Sequence, residues 1–300
     1  MRPLPPSPLQ RLDHPVATAA GVALYVKRDD HYAWAPHDPL QGNKVRKLAP
    51  LLNRTDLDGR TVVSFGGAFS NHVAALSAAG VRFGFRTRFY IRGEAVRNLT
   101  LDFVARNGSQ LTFVDRTTYR QKHHPEVQRE IGITADEIVV PEGGTQPSAL
   151  PFVGAVYGET VKQLGRAPDY FCLSAGTGGT AAGVVAAASG GRTRVEVYPA
   201  LRGNWMRSEI ESWLPPGTDT GHLDVITGYA FGGYGKFPTD WRLYTPEGAI
   251  AKRADLGDQL LPPLEPVYTA KLFTGVLHRL ARGEYPRGAS LVILHSGGIY

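Results

Sequence analysis

Residues 23–48 read ALYVKRDDHYAWAPHDPLQGNKVRKL, ending on Gly42-Asn43-Lys44-Val45-Arg46-Lys47-Leu48. The first six residues, Ala23 to Arg28, alternate apolar and basic side chains, which is the pattern of a strand. Gly42-Asn43 is a turn signal, and Val45, Leu48, Leu51 and Leu52 recur at helical spacing, so a helix starts near Lys44. A helix N-terminus carries partial positive charge, which disfavours a second cation and lowers the pKa of an amine placed there. A lysine so placed suits the role of nucleophile or Schiff-base former. The same spacing also describes Lys44, Arg46 and Lys47 as a solvated basic helix face, and spacing alone leaves both readings open.

The chain of 300 residues is long enough for two lobes or one large α/β domain, and an apolar fraction of 42% predicts a packed core. Its 35 glycines fall in clusters, as expected where backbone must approach a ligand closely. The net charge of +6 comes from scattered Lys and Arg residues without a nucleic-acid-binding motif, so the expected partner is a small anionic molecule, not nucleic acid. Cys172 is the only cysteine, which excludes an intrachain disulfide and a thiolate metal cluster and fits a reducing compartment. With no signal-peptide run and no membrane-length apolar stretch, the expected location is the cytoplasm. Lys122-His123-His124 lacks helical ligand spacing, and no metal is expected there.

Outward from Lys44, Pro-rich residues 4–12 read as an extended surface strap. Arg60 to Phe65 reads as a buried strand, then Gly66-Gly67 and Ser70-Asn71-His72 lead into a helix at Val73. Free N–H groups and polar side chains at that helix start suit an anion, although Ser70 or Asn71 equally serves as a plain N-cap. Strands over 83–91 and 111–115, with a helix over 98–107 between them, give a β-α-β rhythm and hence a parallel sheet. Strand 169–173 then runs into Ser174-Ala175-Gly176-Thr177-Gly178-Gly179-Thr180 and a helix from Ala181. A glycine turn between strand and helix cradles phosphate with backbone N–H groups. A dinucleotide site is the competing reading, but its third glycine would fall on Ala181. Residues 202–222 read as irregular, and 290–295 as a final buried strand before a glycine turn.

These blocks together resemble the fold-type II pyridoxal phosphate enzymes related to 1-aminocyclopropane-1-carboxylate deaminase and D-cysteine desulfhydrase. The resemblance rests on LYVKRDD and GNKVRKL, Ser-Asn-His at 70–72, PEGG at 141–144, SAGTGGT at 174–180, GGYG at 232–235, EPVYTAK at 265–271 and HSGG at 295–298. It implies a tryptophan synthase β-like α/β fold, with two open twisted mostly parallel sheets and flanking helices. Residues 1–49 and 151–300 would form the larger lobe and 50–150 an inserted smaller one. Lys44 would carry pyridoxal 5'-phosphate covalently. Ser174, Gly176, Thr177, Gly178, Gly179 and Thr180 would cup its phosphate, Asn71 would meet its 3-hydroxyl, Thr269 its ring nitrogen, and Ser296 would line its ring. The catalytic set would be Lys44, Ser70, Tyr234 and Tyr268, with Ser70, Asn71, His72, Tyr234 and Tyr268 around the substrate. His72 stands where the deaminase proper has glutamine, Glu265 replaces an aspartate and Ala270 a glycine.

A hydroxyl at Thr269 cannot keep a pyridine nitrogen protonated as a carboxylate does, which suits β-elimination. The resemblance implies glutamate and leucine at the places of Thr269 and Ser296 in true cyclopropane deaminases. The expected reaction is therefore α,β-elimination from a D-amino acid, D-cysteine giving pyruvate, sulfide and ammonia, by a homodimer. The alternatives are a cyclopropane-carboxylate deaminase, a D-serine or β-chloroalanine eliminase and, outside this class, a nucleotide-binding oxidoreductase.

Overall fold

The computed structural model describes residues 4–237, 242–244, 250–252 and 261–298. In chain order they form β1 (Leu9–Arg11), α1 (Pro15–Ala20), β2 (Ala23–Arg28), α2 (Asn43–Leu52), β3 (Thr61–Gly66), α3 (Asn71–Phe83), β4 (Arg86–Arg92), α4 (Leu99–Arg106) and β5 (Gln110–Val114). Next come α5 (Arg116–Arg120), α6 (Pro125–Glu130), β6 (Ile138–Val140), α7 (Leu150–Leu164), β7 (Tyr170–Ala175), α8 (Gly179–Ala188), β8 (Arg194–Pro199), α9 (Met206–Trp213) and β9 (Leu223–Val225). A short ribbon of β10 (Arg242–Tyr244) and β11 (Ile250–Lys252), then α10 (Thr269–Ala281) and β12 (Ser290–His295), complete them.

Two sheets result. The larger has the order β1-β2-β12-β7-β8-β9, parallel except for edge strand β1, and the smaller has the all-parallel order β5-β4-β3-β6. The β-α-β rhythm predicted this mixed architecture of mostly parallel sheets with flanking helices. β12 is buried at every residue, as a central parallel strand must be. It slots between β2 and β7, so Ser290–His295 pair with Ala23–Arg28 and the last described turn is carried to the lysine helix. Among the described residues no helix is long and apolar enough to cross a membrane.

The Pro-rich segment is extended and mostly exposed, as expected, and it is also tied down: Leu9–Arg11 pair antiparallel with β2, and Ser7 is buried, its hydroxyl donating to Asp29 Oδ1 at 2.7 Å. Two expectations need correction. The strand expected from residue 83 begins at Arg86, because Phe83 ends α3 and Gly84, at φ +76°, caps it. Residues 202–222 are not irregular throughout, since Met206–Trp213 form a helix that buries Met206 and Ile210, one turn apart.

The helices around the larger sheet meet through glycine. A Cβ on Gly183 of α8 would lie 2.2 Å from Val153 Cγ2 and 2.8 Å from the Leu150 carbonyl on α7. Backbone has no flexible end to move aside, so Gly183→Ala is expected to destabilise the protein by about 1–3 kcal/mol through overpacking. A lowered urea midpoint with an unchanged slope is the readout, and a wild-type midpoint would show that the α7–α8 contact relaxes freely.

Candidate active site

The turn before α2 has to be glycine. Gly42 sits at φ +60°, and a Cβ there would fall 2.2 Å from the Ser296 carbonyl. This close approach ties the lysine helix to the turn after β12, and Asn43 N–H donates to the same carbonyl at 3.2 Å. Lys44 occupies the first turn of α2, and its ammonium donates to Asn43 Oδ1 at 3.0 Å. Burial lowers its pKa to about 8, against an upward pull from the Glu265 carboxylate.

The basic residues beside it are not a solvated face. Arg46 is 3% exposed and bridges Asp29 and Glu159, each at 2.8 Å, with its guanidinium 4.0 Å from the Tyr32 ring centre. Lys47 is 4% exposed and donates to Thr145 Oγ1 at 3.0 Å and Thr177 Oγ1 at 3.3 Å. Burial first, and the Lys44 charge second, push the Lys47 pKa well down. Lys44 and Lys47 are three apart, one helical turn, and so face the same way.

The turn from β7 into α8 stands opposite. Gly178, at φ +73°, is the N-cap of α8. A Cβ on Gly176 would crowd Tyr268 Oη at 3.0 Å, and one on Gly179 would sit 2.5 Å from Thr145 Cγ2. The absence of side chains is what lets Tyr268 and Thr145 close on the turn. Thr177 and Thr145 hydroxyls are 2.6 Å apart, and Thr180 Oγ1 accepts from Asn43 Nδ2 at 3.0 Å. Backbone N–H groups and the α8 dipole add positive potential at this end.

From the smaller sheet comes the start of α3. Ser70 is its N-cap, accepting from Val73 N–H at 3.3 Å, and Ser70, Asn71 and His72 also line the cavity. His72 is 1% exposed, with Nε2 2.8 Å from Ser64 Oγ. Ser64 gives its single hydrogen to the Val140 carbonyl at 2.7 Å, so it must accept from His72 Nε2–H. His72 Nδ1 is then a bare lone pair, buried and without a hydrogen-bond partner. Burial, followed by the Lys44 and Lys47 charges, holds the ring neutral by pushing its pKa well down.

The third wall is the start of α10 and its neighbours. The Glu265 carboxylate accepts from the N–H groups of Val267, Tyr268 and Thr269 at 2.7, 2.8 and 2.7 Å, and so caps the helix. Tyr268 and Tyr234 rings meet edge-on, 6.2 Å between centres, and Tyr234 Oη donates to the Phe69 carbonyl at 3.1 Å. Burial raises the pKa of both phenols.

A cavity of about 410 Å³ brings together Lys44, Ser70, Asn71, His72, Ser174, Gly176, Thr177, Gly178, Thr180, Tyr234, Tyr268 and Ser296. Two expected residues are outside its wall. Gly179 is occupied with its approach to Thr145. Thr269 is fully buried, its hydroxyl accepting from Glu265 N–H at 2.9 Å and facing the Glu265 carbonyl at 3.2 Å, so that it is spent on the helix start. The closing motif, His295 to Gly298, is described, and Ile299 and Tyr300 after it lie outside the described residues. Lys47 and Thr145 line the cavity but were not singled out by sequence. The spacing of two lysines one turn apart was the available signal for the first.

A family model described as pyridoxal-phosphate dependent enzyme matches residues 2–297. A Pyrococcus abyssi protein named "Putative 1-aminocyclopropane-1-carboxylate deaminase" is 28% identical over 310 residues, covering 98% of this chain and 89% of its own. A Thermotoga maritima protein of the same name is 28% identical over 318 residues, covering 99% and 95%. Among solved structures, one titled as an ACC deaminase homologue has a TM-score of 0.74 at 24% identity, covering 98% of this chain and 89% of that one. The processed threonine deaminase isoform 2 from Solanum lycopersicum has a TM-score of 0.63 at 18% identity, covering 98% and 79%. At these identities the likeness of structure is a likeness of fold.

Proposed function

Because the chain belongs to the pyridoxal-phosphate dependent enzymes, of fold-type II, and its cofactor is pyridoxal phosphate, we propose that it eliminates a β leaving group from a D-amino acid, D-cysteine being the simplest substrate. When bound, the cofactor supplies the electron sink for the charge left at Cα. The donors present fit it. An amine with a pKa near 8 is neutral often enough at physiological pH to form the covalent link, and to take the Cα proton afterwards. Lys47, Thr177, Thr180 and the N-terminus of α8 make a phosphate seat; Lys47, disfavoured as a buried cation on its own, is favoured in its charged form by an arriving dianion. The nicotinamide alternative for the glycine turn falls with family membership.

Around the substrate, Ser70 and the start of α3 would hold the carboxylate. Tyr268 and Tyr234 keep their protons because burial raises their pKa, so either hydroxyl is able to donate to departing sulfur. The observation that favours elimination over ring opening is a neutral His72 at the cavity wall, whose buried Nδ1 has no hydrogen-bond partner and would be satisfied by a thiol or hydroxyl that reached it. Aminocyclopropane carboxylate has no such side-chain hydrogen to give. Thr269 supports the reading less than its sequence position implied, because its hydroxyl is already engaged. The proposal includes an inserted lobe of residues 50–150 within a larger lobe of 1–49 and 151–300, and a cytoplasmic homodimer; the two separate sheets support the lobes.

A second reading, deamination of 1-aminocyclopropane-1-carboxylate, is favoured by the names of the relatives. Release of 2-oxo acid from D-cysteine, β-chloro-D-alanine, D-serine and the cyclopropane substrate separates the two. Pyruvate from the first three is expected, with little product from the fourth. Turnover of the cyclopropane alone would reverse the assignment and the role given to His72.

A further inference from the structure

Next to the catalytic cavity lies a second space of about 410 Å³, lined by Arg92, Arg116, Tyr119, Arg120, Lys122 and Glu142. Arg92, Lys122 and Glu142 line both spaces, so the two adjoin. Arg92 ends β4, and a Cβ on Gly67 would lie 3.8 Å from its Nη2, which places the guanidinium over the glycine turn that leads to Ser70. The Tyr119 ring organises the cations: Lys122 Nζ is 4.5 Å and the Arg92 guanidinium 5.6 Å from its centre. Lys122 is neutralised by Glu142 at 3.1 Å. Arg92, Arg116 and Arg120 have no carboxylate partner among the described residues. Tyr119 is 3% exposed, and its hydroxyl makes no hydrogen bond at normal distance. The Glu142 carboxylate acts on that hydroxyl as well as on Lys122, so the three guanidiniums face the space without a counter-charge and repel one another unless an anion enters.

We propose that this annex binds an anionic group carried by the substrate beyond its reacting carbon, so that the preferred substrate is a D-amino acid whose β substituent ends in sulfonate, phosphate or carboxylate. The inference rests on the elimination reading and narrows its substrate class. The chemistry is redox-neutral. From S-sulfo-D-cysteine, Lys44 takes the Cα proton, the Cβ–S bond breaks and thiosulfate leaves with the electron pair. The aminoacrylate takes up water and yields pyruvate and ammonia. O-phospho-D-serine follows the same course, with phosphate leaving.

The test uses the holoenzyme and compares kcat/KM for S-sulfo-D-cysteine with D-cysteine, and for O-phospho-D-serine with D-serine. The anionic member of each pair is expected to be favoured roughly tenfold or more, through KM, with the preference shrinking as salt rises. The double variant Arg116→Gln/Arg120→Gln, at positions that do not line the catalytic cavity, should erase that preference and leave D-cysteine turnover unchanged. Equal kcat/KM within each pair, untouched by the double variant, would overturn the annex while elimination stands. If no D-amino acid releases pyruvate, the elimination reading fails separately. Spectral titration of the holoenzyme then decides the annex: tenfold tighter half-saturation by O-phospho-D-serine than by D-serine upholds it, and equal values overturn it.

Discussion

Replacing Lys44 with methionine is expected to lower turnover by about 10⁴-fold or more, because the covalent attachment point and the proton acceptor at Cα are one amine. The variant should also lack the long-wavelength absorbance of a covalently held cofactor. Borohydride reduction of the wild type, followed by peptide mass analysis, should find the label on Lys44. The same substitution should act in the opposite direction on stability. An unfolded lysine titrates near 10.4, whereas Lys44 in the fold titrates at about 8. Between those values the unfolded chain binds more protons, so the penalty for burying the ammonium is full below pH 8 and fades as pH rises toward 10.4. At about 1.4 kcal/mol per unit, discounted because the side chain is only partly buried, the penalty is on the order of 2 kcal/mol. Cofactor-free Lys44→Met should therefore be more stable than cofactor-free wild type at pH 7, and the gap should close by pH 10.5. A variant that is less stable at pH 7, or a label on another lysine, would remove Lys44 from its role.

Whether a signal is local or long-range decides which parts of the site could be read in advance. The place of Lys44 at a helix start was legible because a turn and a glycine are local signals, whereas its role came only with the family resemblance. Lys47 was not legible, since charge runs are ordinarily solvated. Its burial depends on Thr145 and Thr177, 98 and 130 residues away in the chain. The engagement of Thr269 with its own helix start was not legible for a related reason. The resemblance implied a place at the ring nitrogen, whereas the first turn of α10 brings its hydroxyl onto the Glu265 backbone. A parallel sheet was legible from apolar strands bounded by glycine turns, and the division into two came from the family resemblance. The α9 helix was not legible, because its buried face is narrow, Met206 and Ile210, and Pro and Gly crowd the surrounding sequence.

The second large effect is expected at Lys271, whose side chain lies outside the cavity wall. It is 1% exposed in the first turn of α10, where the helix dipole disfavours a cation. Burial lowers its pKa, and the Glu265 charge opposes that. What holds the ammonium is backbone: the carbonyls of Ala200, Ala230 and Gly233 accept from Nζ at 2.9, 2.9 and 2.7 Å. Two of these belong to the turn that carries Tyr234. That turn is strained, with Phe231 at φ +45° and Gly232 and Gly233 at +99° and +115°. Lys271 thus acts as an internal counter-charge that gathers three carbonyl dipoles and keeps the turn closed. Lys271→Met leaves those acceptors buried and unmatched, at a cost of about 3 kcal/mol. The loosened turn should lower kcat by roughly 10²-fold, the usual penalty for misplacing a reacting group by about 1 Å. A purely structural lysine would show the stability loss alone. A positioning one should regain part of its kcat in Lys271→Ala with added methylammonium, which fits among three carbonyls, and none with tetramethylammonium, which has no N–H to offer them. Equal response to both ions, or an unchanged kcat in Lys271→Met, would mean that Tyr234 is held by its bond to Phe69 and its contact with Tyr268 alone.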